Sequence, residues 1–144
     1  MKEFSLKVKK LNEDSKINEP AKKSDAGYDV FATESISLKP QERYNMPLGI
    51  ALEFPDYYFC QVNQKSGLSQ KFGIDTIGNV IDAGYRGEIH AIIVNTSNEV
   101  INVEKGQKIA QLVFIPFVKS SIEFVTELTE TERGSDGFGS TGTK

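Results

Sequence analysis

The feature that most constrains this chain is a two-residue alternation of apolar and polar side chains, repeated in short bursts between turn-forming residues. Phe4, Leu6 and Val8 alternate with Ser5, Lys7 and Lys9, and Ile50, Leu52 and Phe54 with Ala51, Glu53 and Pro55. A strand places successive side chains on opposite faces, so this period specifies half-buried strands. Similar segments recur at Ile36 to Leu38, Tyr58 to Val62, Glu88 to Val94, Val100 to Val103, Ile109 to Ile115 and Ile122 to Val125. Gly, Pro and Asn separate them, and many short strands at this spacing predict an all-β sandwich or closed barrel. One helix is predicted, Ser66 to Phe72, with Ser66 as N-cap and Leu68 meeting Phe72 at i, i+4.

Length and charge narrow the function classes. At 144 residues the chain has room for one domain. Its longest apolar runs, such as Tyr57 to Cys60, hold four residues against the roughly 20 of a membrane span. The N-terminus lacks the apolar core of a secretory signal, so the cytoplasm is expected. A single cysteine, Cys60, and a single histidine, His90, exclude an internal disulfide and a Cys/His zinc site. A net charge of −3 argues against nucleic-acid binding by phosphate neutralisation. The seven lysines among the first 23 residues are interspersed with acids and read as a solvated surface.

Composition changes near Thr129. From there to Lys144, ten of 16 residues are Gly, Ser or Thr, and Phe138 is the only large apolar side chain. Such a stretch cannot offset its own ordering entropy. The expected organisation is a β domain over residues 1–128 and a flexible arm over 129–144. In that arm Arg133, Phe138 and several bare amides could clamp phosphates and a base together.

Two further clusters could carry chemistry. Lys65-Ser66-Gly67-Leu68-Ser69 places a cation and a hydroxyl where the first helical amides lack intrahelical partners, a phosphate seat in principle and equally an ordinary helix start. Gly78-Asn79-Val80-Ile81-Asp82-Ala83-Gly84-Tyr85 reads as a hairpin-like Gly-Asn turn followed by an acid and an aromatic ring three residues apart. Asp82 could cap a turn or deprotonate a water, and Tyr85 could pack on a substrate face. Glu88 is expected to face solvent, and His90 to be structural.

Taken in order, the segments are Ala26-Gly27-Tyr28-Asp29-Val30-Phe31-Ala32, Lys65 to Ser69, Gly78 to Gly87, Gly106-Gln107-Lys108-Ile109-Ala110-Gln111-Leu112, and Arg133 to Gly142. This series resembles the five motifs of the trimeric deoxyuridine triphosphatase (dUTPase) family, in family order. The resemblance implies a jelly-roll-like β subunit of the β-clip type in a homotrimer with sites between subunits. It also implies Mg²⁺-assisted hydrolysis of dUTP to dUMP and pyrophosphate, which limits uracil in DNA and supplies dUMP for thymidylate synthesis.

By motif, Asp82 is similar to the carboxylate that activates the attacking water, and Tyr85 to the ring that packs on deoxyribose. Asn79 lies in the segment similar to the one that reads uracil. Lys65, Ser66, Gly67 and Gln111 resemble phosphate ligands, and Asp29 the acid that helps hold hydrated magnesium. Arg133 and Phe138, with Gly139, Ser140 and Thr141, resemble the arm that clasps the terminal phosphate and covers the base. Lys65 stands where most members carry Arg, Gly84 replaces a frequent Asp, Asn79 a frequent Gly, and Asp136 adds an acid to the arm. Two alternatives share the fold: a dCTP deaminase, which needs a carboxylate where this chain has Ile92, and a regulatory trimer that uses dUTP occupancy as a switch.

Overall fold

The computed structural model describes residues 3–137. Twelve strands and one helix are present among them: β1 (Lys7–Lys10), β2 (Ile17–Asn18), β3 (Tyr28–Phe31), β4 (Ile36–Leu38), β5 (Arg43–Pro47), β6 (Ile50–Glu53), β7 (Tyr58–Asn63), α1 (Ser66–Phe72), β8 (Ile74–Ile77), β9 (Val80–Ile81), β10 (His90–Asn95), β11 (Ile101–Val103) and β12 (Lys108–Pro116). They form four antiparallel sheets: β1-β6, β5-β10-β8, β11-β4, and a five-stranded sheet in the order β2-β3-β12-β7-β9. The expected mostly-β architecture with one short helix is present.

The alternation does the work assigned to it. On β7, Tyr58, Cys60 and Val62 are buried while Phe59, Gln61 and Asn63 are partly exposed; on β10, Ala91, Ile93 and Asn95 are buried. Their inward faces meet Leu38, Met46, Leu48, Ile50, Ile74, Ile109 and Leu112 in one core. Burying each large aliphatic side chain contributes roughly 1.5–3 kcal/mol. Cys60 lies at the centre of this core with no exposed surface, and burial pushes its thiol pKa up to about 12. Buried Asn95 is satisfied: its amide donates to the carbonyls of Leu38 and Glu99, and its Oδ1 accepts from Ser97.

Three local expectations are corrected. Ser66 is the first helical residue and Lys65 the N-cap; the Lys65 carbonyl receives the N–H groups of Leu68 and Ser69, so the helix begins one residue earlier in the cap sense. The Gly78-Asn79 turn does not close a hairpin, because β8 pairs with β10 whereas β9 pairs with β7. Gly78, at φ +65°, lets the chain pass from one sheet to another there. The strand expected over Ile122 to Val125 is absent: Ile122 is 84% and Phe124 96% exposed. A strand needs a neighbour to take its backbone groups, and none of the described strands pairs with residues 122–125.

Candidate functional site

The first cluster is built on the middle of the five-stranded sheet. β12 lies between β3 and β7, and Gln111 pairs with Asp29 on one side and Asn63 on the other. Two residues past Asn63 comes Lys65, at φ −92° and ψ 120°, the last extended residue before α1. The sheet register therefore brings Asp29, Gln111 and the Lys65-Ser66-Gly67 turn side by side. Gln111 donates through Nε2 to the Gln64 carbonyl at 3.0 Å, tying β12 to the approach to α1. Gly27 leaves the room for this: a Cβ there would overlap the Gln111 amide.

Asp29 is the electrostatic centre of the cluster. Its side chain is 16% exposed; Oδ1 accepts from Lys65 Nζ, and Oδ2 pairs with Lys108 Nζ at 2.8 Å. Burial alone would raise the Asp29 pKa, but the hydrogen bonds from Lys108 and Lys65 outweigh it and hold the carboxyl below its usual range. Lys108 had no assigned part in the sequence reading. Its signal was the apolar doublet Ile109-Ala110, two consecutive residues with no exposed surface, where the pairing with β3 bulges between Lys108 and Ala110.

The second cluster sits beyond β7, on the side of β9. Asp82 and Tyr85 line a cavity of about 340 Å³ together with Asn45, Gly78, His90 and Ile92. Asp82 is exposed, its carbonyl receiving the Tyr85 N–H at 3.0 Å. The half-exposed Tyr85 donates its hydroxyl to the Glu88 carbonyl, which anchors the ring on the lining of the cavity it shares with Asp82. Asn79 gives its carbonyl to the Val62 N–H, and its Oδ1 is buried without a hydrogen-bond partner. Glu88, expected to face solvent, is half-buried and accepts from the Gly49 N–H at 2.9 Å, because β10 and the turn before β6 close over it. His90 Nε2 lies 3.8 Å from Glu88, and its Nδ1 is buried without a partner.

The cavity around Asp82 contains none of Asp29, Lys65 or Gln111. The residues lining the Asp82 cavity and the cluster of Asp29, Lys65 and Lys108 are thus two separate groups in one chain. The third expected group is Arg133, exposed and folded into a local turn where its Nε donates to the Asp136 carbonyl at 3.1 Å. Phe138, Gly139, Ser140 and Thr141 lie outside the described residues.

No group of three or more His, Cys, Asp and Glu side chains among the described residues is arranged to cage a metal ion. Asp29 carries one ammonium on each oxygen, and a carboxylate has about four lone-pair directions, so it retains capacity for the water of a hydrated cation. That donor set fits Mg²⁺, which keeps several waters and takes its remaining ligands from substrate phosphates.

The sequence profile of the family described as dUTPase matches residues 13–142. The chain belongs to the dUTPase family. A deoxyuridine 5′-triphosphate nucleotidohydrolase of Clostridium tetani is 44% identical over 144 residues, 99% of each chain. Among solved dUTPases, that of Staphylococcus bacteriophage 80alpha with dUpNHpp superposes with a TM-score of 0.90 at 30% identity, covering 96% of this chain and 99% of that one. A mutant dUTPase from phage phi11 of S. aureus, whose structure concerns the coordination of a structural Mg(II) ion, gives 0.82 at 27% identity, covering 88% and 100%. The fold of this chain is thus shared with solved dUTPases over 88–96% of its length.

Proposed function

We propose that this dUTPase hydrolyses dUTP to dUMP and pyrophosphate, and that Asp82 is the base. The observation that carries the assignment is Asp82 and Tyr85 lining one cavity in a chain matched to the family over residues 13–142. Asp82 orients a water toward the α-phosphorus and accepts its proton as the new P–O bond forms; the bond from the α-phosphorus to the bridging oxygen breaks and pyrophosphate leaves. Tyr85 packs against the deoxyribose, where a 2′-hydroxyl would collide. The Asn79 segment reads uracil. Lys65, Ser66, Gly67 and Gln111 hold the phosphates, and Arg133 and Phe138 of the arm, with Gly139, Ser140 and Thr141, close over them. Asp29 would hold hydrated Mg²⁺, which supplies charge neutralisation at the phosphates when bound.

The working form is a homotrimer with its sites between subunits. Two observations support this: the Asp82 cavity and the phosphate seat are separate in one chain, and the apolar side chains of Val118, Ile122, Phe124 and Leu128 are each exposed to solvent. The substrate is a small dissolved nucleotide, which favours the cytoplasm as the place of action; no helix among the described residues is long and apolar enough to cross a membrane. Deamination of dCTP is disfavoured, because the side chain of Ile92 lines the same cavity as Asp82 and can neither give nor take a proton.

The test is Asp82→Asn. Pyrophosphate release from saturating dUTP should fall by about 10² to 10⁴, the usual contribution of a general base. The circular dichroism spectrum should not change. Near-normal turnover in this variant would reject the assignment of the base.

A further inference from the structure

Lys108 is three residues before Gln111 on β12, and an unbroken strand would put the two on opposite faces. The register shows otherwise. Gln111 lies opposite Asp29 and Ala110 opposite Val30, but Lys108, not Ile109, lies opposite Phe31. One step along β3 thus spans two along β12. Residues directly opposite each other share a face, and so do Asp29 and Phe31, two apart on β3. The bulge therefore turns Lys108 onto the face of Asp29 and Gln111, while Ile109 and Ala110 both enter the core with no exposed surface. Without the extra residue Lys108 would oppose Ala32 on the other face and could not reach Asp29.

Charge counting shows what that placement does. Lys65 and Asp29 alone would cancel, leaving no net charge at the seat meant for a polyphosphate. Before any cation is bound, a triphosphate that drew Lys65 to itself would also strand a largely buried carboxylate beside a polyanion, and both effects oppose binding. Lys108 holds the second oxygen of Asp29, so the three groups together carry one positive charge. Lys65 can then turn to phosphate while Asp29 keeps a partner. Lys108 is itself 54% exposed and contributes little to the core.

We propose that Lys108 is a positioning residue for the phosphate chain: placed by the bulge, it holds Asp29 so that Lys65 is available to the substrate. The inference rests on the site being one for a nucleoside triphosphate, and it extends that site by a residue and a backbone irregularity.

The experiment compares wild type, Lys108→Gln and Lys108→Arg. Each is titrated calorimetrically with dUpNHpp and with deoxyuridine, which has no phosphate, at two salt concentrations. Lys108→Gln should weaken dUpNHpp binding roughly 10- to 100-fold, as expected for loss of a charge-assisted contact. Deoxyuridine binding should stay within about twofold, since it makes no use of the seat. The salt dependence for dUpNHpp should become shallower, and Lys108→Arg should recover most of the affinity because it keeps the charge. Equal losses for both ligands would mean that Lys108 only supports the fold, and an unchanged dUpNHpp affinity would mean that it does nothing for phosphate; either result overturns the inference while the triphosphate site stands. Failure of wild type to bind dUpNHpp would remove the site and the inference together.

Discussion

Replacing Gly27 by alanine separates the proposed use of Gln111 in binding from its use in folding. The Gly27 backbone is not in the left-handed region, so alanine meets no strain of its own. Its Cβ, however, would lie 2.9 Å from Gln111 Cδ and 3.2 Å from Gln111 Cβ, with the amide oxygen nearer still. The Gln111 side chain must swing aside and give up its 3.0 Å bond to the Gln64 carbonyl. Losing that bond costs about 0.5–1.5 kcal/mol, and the stiffer unfolded chain returns about 0.4–1 kcal/mol. The net change is roughly 1 kcal/mol or less, and Tm should move by less than about 4 °C. A hydrogen bond from Gln111 to a charged phosphate is worth about 1.5–3 kcal/mol, so kcat/KM for dUTP should fall roughly 10- to 150-fold. The assay is pyrophosphate release across a dUTP concentration series, with thermal melts run alongside. In a Gln111→Ala background the same Gly27→Ala change should have little further effect on kcat/KM. Unchanged kcat/KM in the single variant, or a full second loss in the double variant, would refute the reasoning.

Tyr85→Ala should raise activity on UTP relative to dUTP, because the ring proposed to crowd the 2′ position is gone; an unchanged ratio of kcat/KM values would remove Tyr85 from sugar selection. The depressed Asp29 pKa gives a pH signature. A carboxyl whose folded pKa lies below its unfolded value of about 3.9 adds stability that is complete above that value and disappears as pH falls through the folded one. Asp29→Asn should therefore be less stable than wild type at pH 7, with the gap closing in acid; urea midpoints that diverge further on acidification would contradict this. If the arm serves a neighbouring subunit, mixing Asp82→Asn with a truncation ending at Glu132 and reassembling trimers should restore about a quarter of the sites. Mixed trimers, proven by mass spectrometry, that recover no turnover would reject exchange of the arm.

The parts legible in the sequence were those fixed by short-range pattern. Alternation located β7 and β10 because each has one face on the core, and it found β6 and β12 although Ile50 to Leu52 and Ile109-Ala110 are buried consecutively. It passed over β3 and β5, where Tyr28-Asp29-Val30-Phe31 and Arg43-Tyr44-Asn45-Met46-Pro47 mix burial with site or surface demands. The same pattern over-assigned Ile122 to Val125, since alternation records a buried face but not whose sheet would bury it. Motif order brought Asp29, Lys65 and Gln111 into one list, and sheet pairing then brought them into one place. Lys108 escaped because its neighbour is set by a one-residue register shift, and register belongs to two strands far apart in sequence. The separation of Asp82 from the phosphate seat escaped for a related reason: β8 and β9 look like two arms of a hairpin until their partners are known.

The enclosed position of Cys60 makes the protein a convenient background for site-directed labelling. With its thiol pKa raised to about 12, roughly one molecule in 10⁵ carries the reactive thiolate at neutral pH, and that one is screened from reagent by the core. A cysteine introduced at an exposed arm position such as Ser135 would then be the thiol that a maleimide dye labels, with buried Cys60 out of reach. Distances from such a dye could be followed during turnover without first removing the native residue, and mild oxidants should leave Cys60 unchanged.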